Sequence, residues 1–119
     1  MALSKDQILC CQDIETRTVH VEPWGGDIIL RTMNGIEREK LETQIEKFKK
    51  SGVNAKGAVR AVALVMTAVN EAGEHLFTFD DVEELAKKSG AALDCAFEHV
   101  LSMNGMSKKD AEELEKNSD

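Results

Sequence analysis

The chain has no tyrosine, one tryptophan and one proline, and aromatic side chains make up only 4% of its 119 residues. Its core must therefore be filled by Val, Leu, Ile, Ala and Met rather than by stacked rings. An excess of positive charge is missing as well: 22 acidic residues oppose 15 basic ones, for a net charge of -7. That balance disfavours non-specific binding to nucleic acid or anionic lipid, both of which need a basic surface and counterion release. Long apolar runs are absent. The most apolar stretch, Ala58 to Val69, contains Arg60 and falls far short of the ~20 residues of a membrane span. Cysteine is scarce, and its placement excludes a disulfide framework: Cys10 and Cys11 are adjacent, and Cys95 pairs with at most one of them. With no signal peptide, the expectations are reduced thiols, a cytoplasmic and soluble protein, and proteins as its partners.

What is present suffices for one domain. A globule of this length removes roughly 65% of its unfolded surface from water. The pattern reads as α+β, mainly α: an antiparallel β-hairpin, with room for a third short strand, packed with four to five helices. Residues 1–106 read as a single globular domain, and 107–119 as a polar, partly helical C-terminal tail. Ser4 is placed to cap a short first helix with Asp6 in its first turn, which would turn Ile8, Leu9 and Cys11 or Cys10 inward. "TRTVHVE" and "DIILRT" follow as two strands. Pairing them about "PWGG" sets Glu22 opposite Asp27, Val21 opposite Ile28 and Val19 opposite Leu30 on one face. Thr18, His20, Ile29 and Arg31 line the other. Pro23 presets one backbone angle of the turn, and Gly25 or Gly26 supplies a positive φ.

The period then changes. Leu41, Ile45 and Phe48 mark a helix from Asn34 or Gly35 to Lys50, with a Glu/Lys outer face. "SGVNAKG" breaks it. Ala58 to Asn70 is apolar on every side and reads as a central buried helix. A turn centred on Gly73 leads to His75–Phe77, a candidate third strand. Thr78 or Asp80 caps a helix through Lys88, with Glu83 placed for a capping box on Asp80. Ser89 or Gly90 starts another, with Leu93, Phe97, Val100 and Leu101 in one stripe, ended by Asn104-Gly105. The last segment, from Ser107, offers only Ala111 and Leu114 for burial and reads as solvated or fraying.

Chemistry is hard to find. Metal binding by Cys10, Cys11, Cys95 and the histidines lacks zinc-type ligand spacing, so buried, inert thiols are expected. "NEAGEHLFTFDD" lacks the alternating ligands and closing glutamate of a calcium loop. Cys95 and His99 lie four apart on one helix but have no oxyanion donor beside them. "SGVNAKG" lacks the spacing of a phosphate-binding loop. The cluster Lys47, Lys49, Lys50, Lys56 and Arg60 is interleaved with glutamates, as on a solvated face. No catalytic, cofactor-binding or metal residues are assigned. Trp24 remains: it curls over the apolar face of the hairpin, or it anchors a partner, as tryptophan does at interface hot spots. A lone hairpin needs one face covered, so Val19, Val21, Trp24, Ile28, Ile29 and Leu30 form the candidate surface for a partner or a second copy.

"VEPWGGDIILRTMNGIERE" and "EAGEHLFTFDDVEELAKKSGAALDCAFEHVLSMNGMS" resemble the tail assembly chaperones of long-tailed, lambdoid bacteriophages. The resemblance runs in order from about Leu3 to Ser118. It comprises the Trp24-Gly25-Gly26 turn, the Thr32-x-Asn34-Gly35 lead-in to a charged helix, Gly73-x-x-Leu76-Phe77-Thr78 before Asp80-Asp81-Val82-Glu83-x-Leu85, and the helix end at Met103-Asn104-Gly105. Ala72 departs from it, since the family usually has an acidic residue there. The resemblance implies a non-enzymatic chaperone that coats the tape-measure protein, keeps it soluble, helps recruit tail tube subunits, and self-associates. It implies action in the host cytoplasm and absence from the mature virion. It also implies a longer form, made by ribosomal frameshifting, that contacts the tail tube protein. Glu115-Lys116-Asn117 can be encoded by GAA AAA AAC, which contains a slippery run in the required frame. The alternative is an acidic regulatory adaptor or inhibitor of a basic protein, whose binding would be salt-sensitive.

Overall fold

A computed structural model describes residues 1–116; Asn117, the last residue of the slip-site reading, lies outside them. The architecture is mainly helical α+β, with a three-stranded antiparallel sheet and six α-helices among the described residues. The strands are β1 (Thr16–Val21), β2 (Gly26–Arg31) and β3 (Ala68–Val69), in the order β1-β2-β3. The helices are α1 (Lys5–Leu9), α2 (Gly35–Lys50), α3 (Ala55–Thr67), α4 (Val82–Ala86), α5 (Gly90–Met103) and α6 (Lys108–Lys116).

Helix α3 is the centre, as its all-round apolarity requires. Every residue from Gly57 to Thr67 is buried except Arg60. The one buried hydroxyl among the described residues, on Thr67, donates to the Ala63 carbonyl at 2.7 Å and so carries no unpaired group into the core. Asn54 caps the helix, its side chain accepting the Gly57 N–H at 2.8 Å. Gly57 lies at a close approach: a Cβ there would stand 3.0 Å from Oδ1 of the capping Asn54 and 3.3 Å from Cβ of Ala86, on α4. Helix α2 is held at its start by a reciprocal box, Asn34 with Glu37, and buries Leu41 and Ile45. Helix α5, capped by Ser89, buries Leu93, Phe97, Val100 and Leu101 and lies against both α3 and the hairpin.

Four expectations are corrected. The strands pair as Val21↔Gly26, His20↔Asp27 and Val19↔Ile28, two residues away from the expected register. The reason lies in the turn. Glu22–Trp24 form a single 3-10 turn with Pro23 in its first positions, and Gly25, at φ 69°, closes it. The four-residue loop therefore begins at Glu22 instead of Pro23. A two-residue slip preserves the facing of every side chain, so Val19, Val21, Ile28 and Leu30 still share one face. The third strand is Ala68–Val69, which continues directly from α3 and pairs with Leu30 and Ile29; His75 adds only a single bridge to Val69. The capping box before α4 is Thr78 with Asp81, because a 3-10 turn at Phe79–Asp81 precedes the helix.

The fourth correction concerns both ends of the chain. Helix α1 forms, with Ser4 and Gln7 in a capping box, but buries none of its residues. Conversely, α6 is docked instead of solvated. Ala111 and Leu114 join the core at 7% and 6% exposure. Lys49 Nζ donates to the Leu114 and Glu115 carbonyls at 3.1 and 2.6 Å, and Arg60 reaches the Glu115 carboxylate at 3.2 Å. Two apolar positions at i and i+3 suffice to face one groove.

Leu114→Ala should therefore lower unfolding stability by about 2–4 kcal/mol in a urea titration, as for a buried leucine. Ile8→Ala, on the undocked α1, should stay within about 0.5 kcal/mol of the parent. Equal, small effects at both positions would contradict the docking of α6.

Candidate interaction surface

The hairpin face expected to meet a partner is largely closed by the chain itself. Val19, Val21 and Leu30 are 4%, 0% and 0% exposed, because α5 lies across them. Ile28 and Trp24 are partly buried and pack on the same core. Trp24 thus folds back onto the body of the protein. The 3-10 turn that carries it rests against α5, and burying its ring secures the end of the hairpin. Of the six residues, only Ile29 faces the outer side of the sheet. It lies opposite Val69 and shares a shallow, open depression with Leu76, which is 48% exposed.

Most of the exposed large apolar side chains among the described residues are elsewhere. Residues 1–15 form an arm in which Met1, Leu3, Ile8, Leu9 and Ile14 are all exposed; Leu3 and Leu9 reach 69% and 71%. Five such side chains within fifteen residues exceed the scattered singles of an ordinary surface and mark a candidate contact site. Cys10 and Cys11 lie on the same arm and are exposed, which corrects the expectation of buried thiols. The arm is anchored at its root: the Glu15 N–H donates to Thr32 Oγ1 at 3.0 Å, and the Thr32 N–H donates to the Glu15 carbonyl at 2.9 Å. The arm was missed because its apolar residues, at 3, 8, 9 and 14, make no helical stripe. Inward packing was inferred for Ile8 and Leu9 from hydrophobicity alone.

A second apolar feature is a groove of about 310 Å³ walled by Val65, Met66, Phe77 and Phe79, with Glu37 and Lys40 on its rim. Phe77 reaches it from the segment before Thr78, and Phe79 from the first position of the 3-10 turn that Thr78 caps. The ammonium of Lys40 sits 5.5 Å from the Phe79 ring centroid. Beside it, Arg31 pairs with Glu37 and joins the sheet to α2. The only sequence signal for the groove was the Phe-Thr-Phe alternation.

His20 is bracketed on the outer hairpin face by Asp27 at Nδ1 and Glu22 at Nε2, both at 2.8 Å. Hydrogen bonds first to Asp27 and then to Glu22 raise its pKa above the ordinary 6.5, because an imidazolium donates to both carboxylates. The Ser107 backbone N–H, followed by its hydroxyl, holds the Asp110 carboxyl below its usual range at the start of α6. Cys95 is partly buried, and its thiol donates to the His20 carbonyl at 3.6 Å, which ties α5 to the edge strand. Within the basic cluster, Lys49 and Arg60 are engaged by α6, and Arg60 also meets Asp94 at 2.6 Å and stacks 5.0 Å from the Phe97 ring. The cluster is therefore in part a clamp on the acidic last helix rather than a solvated face. Asn70 closes the Gly73 turn, its side chain accepting the Ala72 and Glu74 N–H groups at 2.9 and 3.0 Å. Among the described residues no group of three His, Cys, Asp or Glu side chains is placed to hold a metal, and no helix is long and apolar enough to cross a membrane.

A raised His20 pKa contributes stability that is complete below 6.5 and is lost as pH rises through the folded-state value. An NMR titration of the imidazole should therefore give a midpoint above 6.5, and Asp27→Asn should lower it. A midpoint unmoved by Asp27→Asn would mean that the bracket does not hold the proton.

Compared with known proteins, the chain matches no family model, no curated protein and no solved structure.

Proposed function

We propose that this protein is a tail assembly chaperone of a long-tailed bacteriophage: it binds the tape-measure protein, keeps it soluble, and helps recruit tail tube subunits. On this reading it is not an enzyme, uses no cofactor, self-associates in the host cytoplasm, and is absent from the mature virion. A frameshift-extended form would carry the contact with the tail tube protein.

The observation that carries the reading is the uncovered apolar arm, Leu3, Ile8, Leu9 and Ile14, on a chain of net charge -7. A holdase needs apolar area to share with a client and a like-charged exterior to keep the loaded complex dispersed. The ordered motifs of the resemblance support it from another side. They fall on structural punctuation: the Trp24 turn, the Asn34 cap, the Thr78–Asp81 box and the Gly105 helix end. Such positions specify a fold, as expected of a binding protein whose work is done by surface rather than by a catalytic cluster.

Co-expression with a tape-measure fragment tests this. The soluble yield of the fragment should rise several-fold with this protein present and should fall back with Ile8→Asp/Leu9→Asp. Cys95→Ala should leave it unchanged. A client yield indifferent to the protein would sink the reading. Binding by the apolar arm should also survive high salt and show a negative heat-capacity change in calorimetry. Binding abolished by salt would favour the acidic adaptor instead.

A further inference from the structure

Helix α6 is held to the domain by little apolar contact. Of its nine residues only Ala111 and Leu114 are buried, and crevices run along both of its sides. One, of about 290 Å³, lies between α6 and α5 and is walled by Phe97, Leu101 and Ala111 among others. The other, of about 110 Å³, lies between α6 and α2, with Leu41, Met106 and Leu114 in its wall. Packing therefore fastens α6 along one line, and the open space on either side supplies no contacts to hold it.

We propose that α6 is a detachable cover: it opens as a unit while the rest of the domain stays folded, and Lys49 and Arg60 latch it shut. The device belongs to the fold and is independent of any client.

The joint is already built. Asn104 belongs to the body of the domain, its side chain accepting the Met33 N–H at 2.8 Å and its carbonyl accepting from Arg38 at 3.2 Å. Gly105, at φ 64°, turns the chain, and the Met106 N–H closes on the Leu101 carbonyl at 2.9 Å. Helix α6 then starts afresh. The Ser107 hydroxyl accepts the Asp110 N–H at 3.1 Å, and the Asp110 carboxylate accepts the Ser107 N–H at 2.8 Å. Each side of the joint is capped within its own element, so swinging α6 away breaks no hydrogen bond of α5.

The latch sits at the opposite end of the helix. Lys49 holds the carbonyls of Leu114 and Glu115, where the helix dipole is negative, and Arg60 holds the Glu115 carboxylate. Opening strands neither cation. Arg60 keeps Asp94 and the Phe97 ring, and Lys49 exchanges carbonyls for water, so no charge is left buried without a partner. What opening lays bare is Leu41, Phe97 and Leu101. The apolar surface on offer then changes with the latch while the fold stays the same.

Native-state hydrogen exchange of the full-length chain, followed residue by residue, tests this. A helix of nine residues does not keep its hydrogen bonds alone in water, so each detachment is read as exchange. The amides from Ala111 to Glu115 should share one protection factor, at least about tenfold below that of Val62 to Met66 in α3. Two substitutions separate opening from global unfolding. Glu115→Gln weakens a contact made only in the closed form and should speed exchange in α6 by about three- to tenfold. Exchange in α3 should rise by the same factor, since every open state gains equally. Val19→Ala, in the hairpin, weakens contacts that the open form still makes. It should speed α3 by about tenfold or more and leave α6 unmoved. Equal protection in α6 and α3, or an α6 that accelerates with α3 in Val19→Ala, overturns the proposal, because the helix then leaves only when the whole domain unfolds. A gradient of protection toward Lys116 overturns it as well, since that is fraying. Exchange in α6 indifferent to both Glu115→Gln and Lys49→Met removes the latch.

Discussion

Helix α3 has no polar side to give to solvent, and that single constraint organises the molecule. A helix buried from Gly57 to Thr67 must be covered around its whole circumference. The chain answers with α2, α4, α5 and α6, all packed on it, and leads its C-terminal end into the sheet as β3. Arg60 is the exception that shows how firmly the rule holds. It leaves the core by lying along Phe97, and its guanidinium is met by Asp94 and by Glu115 of the last helix. The charge on α3 is thereby used to fasten a cover over α3.

Covering α3 also determines what is left uncovered. Helix α5 is drawn between α3 and the hairpin, so the inner hairpin face is spent on the protein's own core. Val19, Val21 and Leu30 cannot then serve a partner without unfolding the domain. With no tyrosine and few phenylalanines, there is little large side-chain volume to seal every remaining seam, and Phe77 and Phe79 line an open groove rather than a filled one. The arm is left over because, beyond its root at Glu15–Thr32, no residue of α1 is buried by the domain.

The elements with strong local signals were legible in the sequence. Asn34, the Leu41/Ile45 spacing, the unbroken apolarity of α3, and the Ser89 to Gly105 span each combine a cap or stop with an apolar pattern, and local and tertiary forces agree there. Legibility failed where two local solutions differ by little. A four-residue turn starting at Glu22 or at Pro23 keeps the same faces buried, and only the 3-10 geometry with Gly25 at positive φ decides. Ala68–Val69 was read as the end of a helix because β-branched, apolar residues fit a buried strand and a buried helix alike. The surface was the least legible part. Whether Ile8 or Leu114 is buried depends on what lies beside it in space, and the isolated Leu114 found a groove while the clustered Ile8 and Leu9 did not.

An arm this apolar is hazardous unless something restrains its contacts, and the chain supplies two restraints. The arm's apolar residues sit on and around a capped helix and not on a flat edge strand, so its backbone groups are satisfied internally and do not template cross-strand pairing. Lys5, Asp6, Asp13 and Glu15 interrupt the apolar residues as charged gatekeepers, and the net charge of -7 raises the cost of bringing many copies together at random. Contact is then favourable only where enough apolar area is matched at once to outweigh that repulsion. A partner surface with a matching apolar recess meets the condition, and a casual encounter between surfaces does not. Selectivity of this kind needs no specific polar recognition, which is consistent with a molecule whose hydrogen-bonded networks, at His20, Asn70 and Arg60, are all spent on holding its own elements in place.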